Sequence, residues 1–346
     1  MNNPTYDKVH NQFKLNGYHF DREDMLRVAY SFIKEGEDFE KHVGEFFLDW
    51  FDDNDFMNLQ TSGTTGTPKI IKIDKQAMVN SAIATGDYFD LSPGNKVLHC
   101  LPVKFIAGKM MFVRAFILGL DIDFVAPSSN PMRKNETHYD FTAMVPLQAQ
   151  NSLRELLMVK KMIVGGAKMN SKLEKDLMEL PIEVFETYGM TETITHIAVK
   201  KIGEKAFTVL PNVMISYDDK NCLVIHAPKI SDEVILTNDL VELVNENQFV
   251  FLGRFDNVVN SGGIKLIPEL IEKKLSDKLN SRFFVAGKLD ETLGEKLVLV
   301  IEGEYQNIDE SIFDKLDKYE KPKEIVFVNK FKETENGKIL RKITLN

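Results

Sequence analysis

Cysteine is nearly absent. Only Cys100 and Cys222 occur among 346 residues, with no second pair and no metal-ligand spacing. A disulfide framework is therefore excluded as the source of stability, and a reducing, cytoplasmic compartment is expected. Long hydrophobic runs are missing too. No stretch approaches the roughly 18 apolar residues that cross a bilayer, and the opening MNNPTYDKVHNQFKLNG lacks the basic-then-apolar order of a leader. The chain thus reads as neither secreted nor membrane-inserted. Positive charge is not in excess: 52 acidic against 43 basic residues give a formal charge of -9, so no cationic face for nucleic acid or anionic lipid is expected. The seven histidines (10, 19, 42, 99, 138, 196 and 226) are scattered and form no HExxH, which gives little support to a catalytic zinc. What the chain has is apolar content, 43% of its residues, enough for a sizeable core and two domains of unequal size.

The order of patterns predicts α/β layers. DREDMLRVAYSFIKEG, from Asp21 to Gly36, has an acidic start, apolar residues at helical spacing and a closing glycine, and so predicts an amphipathic helix. HVGEFFLDWF predicts a second. Short β-rich runs then alternate with helical patterns: FMNLQ, KIIKI, KVLHCLPV, the apolar stretch to Leu120, KMIVGG, a helix near Ser171 to Leu180, and IEVFETYG. A β-rich region from Phe207 to Phe251 follows. The expected architecture is a large N-terminal α/β domain of layered sheets and helices over 1–254, then a small mobile α+β domain over 255–346. Within the latter the pattern predicts a helix at Pro268 to Lys278, strands RFFVAG, KLVLVIEG and EIVFV, and a helix near Ile308 to Tyr319.

Chemistry is densest in TSGTTGTPK, Thr61 to Lys69, which lies between two strand-like runs. Gly63 and Gly66 permit close backbone approach, and amides with the hydroxyls of Thr61, Ser62, Thr64 and Thr65 can surround phosphate oxygens. Pro68 and the glycine spacing rule out the Walker register. The same residues could also form an ordinary surface turn.

TSGTTGTPK resembles the phosphate loop of the adenylate-forming superfamily of acyl-CoA synthetases, luciferases and adenylation domains. Further segments resemble that family's motifs, in its order, from about Asn58 to Asn346. Gly165, Gly166 and Ala167 resemble the adenine-side loop. YGMTET, Tyr188 to Thr193, resembles the nucleotide and metal motif. TNDL, Thr237 to Leu240, is similar to the ribose-binding TGDL, with Asn238 in place of glycine. GRFDNVVNSGGIKLIPELIE resembles the interdomain hinge and the loop after it, and KETENGKILRK the lysine-bearing tail.

The resemblance implies an enzyme that uses ATP and Mg²⁺ to convert a carboxylic acid to an acyl-adenylate and passes the acyl group to coenzyme A. It implies that Glu192 holds Mg²⁺, Thr191 donates to the α-phosphate, and Lys69 and Gly189 belong to the nucleotide site. Tyr188 would pack beside adenine, while Asp239 accepts from the ribose hydroxyls with support from Arg254. Lys338 would enter from the small domain to attract substrate carboxylate and bridging phosphate oxygen together. Asp256 falls at the hinge position, and Gly262 with Gly263 on the coenzyme A side, although that glycine pair could equally be a plain turn.

Leu101 to Gly119 follows a strand and predicts a largely apolar helix along the acyl pocket. Its Arg114 could snorkel to water or pair with a second substrate carboxylate, for which Lys104 and Lys109 are alternatives. Phe105 stands where many relatives have histidine. His196 could line the pocket or be a satisfied strand residue. This segment and TAMVPLQAQ look most like short o-succinylbenzoate-CoA ligases of menaquinone biosynthesis, whose substrate carries two carboxylates. Fewer residues precede the phosphate loop than in most relatives, which leaves the pocket boundary and a homo-oligomer open. Other readings are a ligase for another aryl or fatty acid, a loader of a carrier protein, and a catalytically idle relative that binds nucleotide or acyl ligand.

Overall fold

The computed structural model describes residues 4–60, 70–279, 281–333 and 339–345. A short hairpin, β1 (Lys14–Leu15) with β2 (Tyr18–His19), leads into α1 (Arg22–Glu35). The acidic start and the glycine end this helix where the pattern placed them. Asp21 accepts from the Asp24 amide at 2.9 Å, and the Asp24 carboxylate accepts from the Asp21 amide in return. Helix α2 (Asp38–Phe51) buries Phe46, Phe47, Trp50 and Phe51 along one face. A two-stranded ribbon of β3 (Phe56–Gln60) and β4 (Ile70–Asp74) then feeds α3 (Lys75–Phe89), which Asp74 caps by accepting from the Ala77 amide at 2.7 Å.

From here strands and helices alternate: β5 (Lys96–His99), α4 (Ile106–Leu118), β6 (Asp121–Phe124), β7 (Tyr139–Met144), α5 (Pro146–Asn151), β8 (Val159–Val164), α6 (Ser171–Met178) and β9 (Glu183–Gly189). These five strands pair in parallel in the order β9-β8-β7-β5-β6, and β1 extends the parallel set at its edge. Helix α4 is apolar on nearly every side because it is enclosed on nearly every side. The ring of Phe112 meets Phe47 edge-on at 5.0 Å, and Phe116 meets Phe13 likewise at 5.0 Å. The expected helix over Leu101–Gly119 is shorter in fact. Residues 101–105 lie outside it, and Phe105, in extended conformation, is its N-cap.

Beyond β9 the sheet changes character. Strands β10 (His196–Lys201), β11 (Phe207–Val209), β12 (Met214–Tyr217), β13 (Cys222–His226), β14 (Ile235–Asn245) and β15 (Gln248–Arg254) continue it with antiparallel pairing alone. A separate five-stranded sheet follows, of β16 (Val259–Ser261), β17 (Ile264–Leu266), β18 (Phe283–Asp290), β19 (Gly294–Glu302) and β20 (Glu324–Val328). Helix α7 (Pro268–Leu275) packs on it, and α8 (Arg341–Leu345) ends the described chain. This part has its own core of Val259, Ile271, Leu275, Val285, Leu297 and Leu299. The fold is α/β as expected. One element differs: the helix anticipated near Ile308 to Tyr319 is only a 3-10 turn, Glu310–Phe313. Asp309 accepts from the Ser311 amide at 2.8 Å, and Leu316 donates to the Phe313 carbonyl. That tight i to i−3 geometry buries Ile312, Phe313 and Leu316 without an α-helix.

Candidate active site

Parallel sheets collect functional loops at the carboxyl ends of their strands, above all where strand order or direction changes. Gly165, Gly166 and Ala167 directly follow β8, Tyr188 and Gly189 end β9, and β9 is where parallel pairing gives way to antiparallel. Gly166 takes φ +83°, a left-handed conformation that favours glycine. At Gly189 a Cβ would stand 2.3 Å from the Thr195 carbonyl oxygen, so the motif needs glycine for close approach.

The turn between β9 and β10 carries Thr191 and Glu192 in a 3-10 helix. Thr193 holds it from inside: its hydroxyl accepts from the Met190 amide at 2.9 Å and lies 2.8 Å from the Thr195 carbonyl. Ile194 is forced to φ 65°, ψ -60°, an unusual place for a β-branched residue, and it is buried there. Such strain costs about 1–3 kcal/mol and collects at functional turns. Glu192 is exposed and forms no ion pair with any described residue, so its carboxylate is available to a cation. A hard divalent ion prefers oxygen ligands. Among the described residues no cluster of three His, Cys, Asp or Glu side chains is present, so polyphosphate and water would have to complete its shell.

Asp239 and Arg254 are direct cross-strand partners on β14 and β15. The Arg254 Nε lies 3.2 Å from Asp239 Oδ1, and Tyr188 donates its hydroxyl to Oδ2 at 2.5 Å. Three of the expected nucleotide residues, distant in sequence, therefore meet in one cluster. Burial and the Asp239 charge push the Tyr188 phenol well above its ordinary range, so it stays a donor. Its ring packs edge-on against Phe249 at 5.1 Å. Asn238, the departure from TGDL, donates to Asp256 Oδ2 at 3.1 Å and so ties the ribose-side strand to the expected hinge residue. Gly262 and Gly263 form the turn between β16 and β17.

Further ties join the two parts. Lys168, next to Ala167, reaches the buried Glu272 of α7 at 3.2 Å, and Arg341 reaches the same carboxylate at 2.8 Å. Asn257 donates to Glu269 at 2.6 Å. None of these acidic residues was singled out from the sequence. Both fall in the segment that resembles the hinge and the loop after it, but no role was expected of either.

At Arg114, expected near the acyl pocket, the structure corrects one reading. Arg114 does not snorkel: it is 1% exposed, held inside α4. Its Nη1 contacts Met111 Sδ at 3.5 Å, while Nε and Nη2 have no partner among the described residues. Burial lowers its pKa to about 10, so at neutral pH it remains a cation, and among the described residues no carboxylate pairs with it. His196 is 5% exposed. Burial first, and the Arg114 cation second, hold its pKa well below the ordinary range, so it is neutral. It sits opposite Gly189 in the β9–β10 pairing, under the turn that bears Thr191 and Glu192. Lys109 is engaged elsewhere, over the Phe46 ring at 4.8 Å with Asp49 and Glu45 nearby. Lys104 is exposed, over the half-buried ring of Phe105 at 5.8 Å. Thr61, Ser62, Gly63, Thr64, Thr65, Gly66, Lys69 and Lys338 lie outside the described residues.

A family model described as "AMP-binding enzyme" matches residues 19–220. The chain belongs to that family of AMP-binding, adenylate-forming enzymes. It is similar to an acyl-CoA synthetase (AMP-forming)/AMP-acid ligase II-like protein from Dyadobacter fermentans, at 32% identity and TM-score 0.63, covering 92% of this chain and 97% of that one. It is also similar to the 2-succinylbenzoate--CoA ligase of Haemophilus influenzae, 24% identical over 76% of this chain and 64% of the relative. This chain thus spans slightly less than two thirds of that relative's length. A likeness in fold extends to the o-succinylbenzoate coenzyme A synthetase of Bacillus subtilis, solved with ATP and magnesium ion: TM-score 0.73, 20% identity, 84% of this chain and 69% of that one. Among the described residues no helix is long and apolar enough to cross a membrane.

Proposed function

We propose that this chain is an ATP-dependent acid–thiol ligase whose acid is o-succinylbenzoate, in menaquinone biosynthesis. The observation that carries the reading is Arg114, sealed inside α4 with two nitrogens that have no partner among the described residues. A cation without a counter-ion in the interior costs several kcal/mol, and that cost is offset when a ligand brings an anion. An acid with two carboxylates fits, one to react and one to meet the guanidinium as a charge-assisted pair. The names of the relatives agree with such a substrate.

In this reading Asp239, held by Arg254 and Tyr188, accepts from the ribose hydroxyls, and the loop Gly165–Ala167 flanks adenine. Thr191 donates to the α-phosphate. Mg²⁺ held by Glu192 supplies charge neutralisation for the phosphates. The residues Thr61 to Gly66, with Lys69, surround the polyphosphate. Lys338 stabilises charge as the carboxylate oxygen attacks the α-phosphorus and pyrophosphate departs. Residues 255–346 form a lid that turns about Asp256, after which Gly262 and Gly263 face the coenzyme A thiol, whose sulfur displaces AMP. The compartment is the cytoplasm.

The test is a panel of carboxylic acids with ATP and Mg²⁺, followed by pyrophosphate release and by mass spectrometry of the adenylate and thioester. Preference for o-succinylbenzoate by at least about 10-fold is expected, since one charged pair contributes about 1.5–3 kcal/mol. Equal turnover of monocarboxylates would reject the specific acid, and no adenylate with any acid would favour a binding protein.

A further inference from the structure

Glu272 on α7 is 4% exposed, yet it accepts from three separate parts of the chain. Its Oε1 takes the Val285 amide at 3.0 Å and Arg341 Nη1 at 2.8 Å, and its Oε2 takes Arg341 Nη2 at 3.2 Å and Lys168 Nζ at 3.2 Å. Val285 and Arg341 belong to the same small part as Glu272. Lys168 does not: it directly follows Ala167, at the end of the loop expected beside adenine. Arg341 stands three positions beyond Lys338. It also reaches Glu269 at 3.4 Å, which in turn accepts from Asn257, the neighbour of Asp256. A continuous run of polar contacts thus joins the nucleotide loop, the tail and the hinge through one buried carboxylate.

A buried carboxylate must keep its donors. Arg341 and the Val285 amide satisfy Glu272 from within the small part, so the Lys168 contact can open and re-form without stranding a charge. The Lys168 side chain is itself 64% exposed. In this same pose Gly262 and Gly263 are exposed; a Cβ on Gly262 would meet only Leu293 of the small part, and one on Gly263 no described atom within 4 Å. The glycine pair expected on the coenzyme A side therefore stands clear of the described large part while Lys168 is engaged. We infer that Lys168 is a positioning residue for the adenylation half-reaction: its pairing with Glu272 holds the lid, and the tail that bears Lys338, against the nucleotide loop, and it releases when the lid turns. This rests on the ligase reading above. A lysine that only faces water would affect neither half-reaction, and one that touched ATP would change ATP affinity.

The experiment measures the half-reactions apart on the full chain: adenylate formation from o-succinylbenzoate, ATP and Mg²⁺, and thioester formation from supplied o-succinylbenzoyl adenylate and coenzyme A. ATP binding by calorimetry and thermal melts run alongside. Lys168→Ala should lower the ratio of adenylation to thioester rate about 5-fold or more, because the lid spends less time in the latched pose. ATP affinity should stay within about 2-fold and the melting temperature within about 2 °C, since the lost pair is largely exposed. Lys168→Glu, which sets like charges together, should lower the ratio further, and Lys168→Arg, which keeps the cation, should hold it within about 2-fold of wild type. An unchanged ratio, equal slowing of both halves, an arginine variant as impaired as alanine, a large drop in melting temperature, or a loss of ATP affinity in step with adenylation would overturn the inference while the ligase reading stands. Wild type that forms no adenylate with any acid would remove the reading and the inference together.

Discussion

The cluster of Tyr188, Asp239 and Arg254 and the surroundings of Arg114 are built on opposite electrostatic plans. In the first, Asp239 is held by Arg254 and Tyr188, and Asn238 reaches Asp256. In the second, Arg114 is sealed within α4, and two of its nitrogens have no partner among the described residues. The contrast teaches that a paired polar cluster is stable as it stands, whereas an unpaired buried charge carries a cost that an added anion would offset.

The sharpest break of this comparison is at Lys338. Lys338→Ala should lower acyl-adenylate formation by about 100-fold or more while ATP affinity changes little, because the ammonium acts on charge that develops in the transition state. Single-turnover assays with nucleotide binding by calorimetry check this, and near-normal adenylation would remove Lys338 from the mechanism.

Next comes Arg114→Met. Its KM for a dicarboxylic acid should rise about 10–100-fold, yet the free protein should melt at a higher temperature, since an uncompensated charge leaves the interior. The opposite signs are the point: loss of both function and stability would mean that Arg114 has a structural partner.

His99 offers a test by pH. It is fully enclosed against Phe112, at 4.4 Å between ring centroids, and burial lowers its pKa from 6.5 to about 3. Between those values the unfolded chain binds a proton that the folded chain does not, so stability falls as pH is lowered from 6.5 towards 3. One such group contributes about 1.4 kcal/mol per pH unit. His99→Phe should flatten the slope by that amount in urea unfolding at pH 6.5, 5.5 and 4.5; identical slopes would mean that protonation is accommodated in the folded state.

The smallest effect is expected at Asn238→Gly, which restores the family pattern and deletes the bond to Asp256. One half-reaction should change by about 2–5-fold, as befits one solvent-exposed hydrogen bond to a carboxylate, of about 0.5–1 kcal/mol. Adenylation and thioester formation measured separately decide it, and equal change in both would argue against a role at the hinge.

Local chemistry made much of this legible. The capping pair Asp21 and Asp24, the closing Gly36, and the motif around Tyr188 all depend on neighbours within a few positions. The cluster of Tyr188, Asp239 and Arg254 was readable as separate motifs, though its meeting point was not. The helix expected near Ile308 failed because tight turns buried the same apolar residues at less length. Thr85 and Ser81 carried no signal at all, since a hydroxyl in an apolar helix looks the same whether it meets water, a carbonyl or an imidazole.

By itself the sequence determined the α/β alternation and the order of the motifs, because both follow from short-range spacing and backbone preference. Tertiary structure alone decided that Arg114 is enclosed and not solvated, and that α3 reaches His196 across 111 positions of chain. Whether a charge is exposed depends on what packs over it, and that is a property of distant residues.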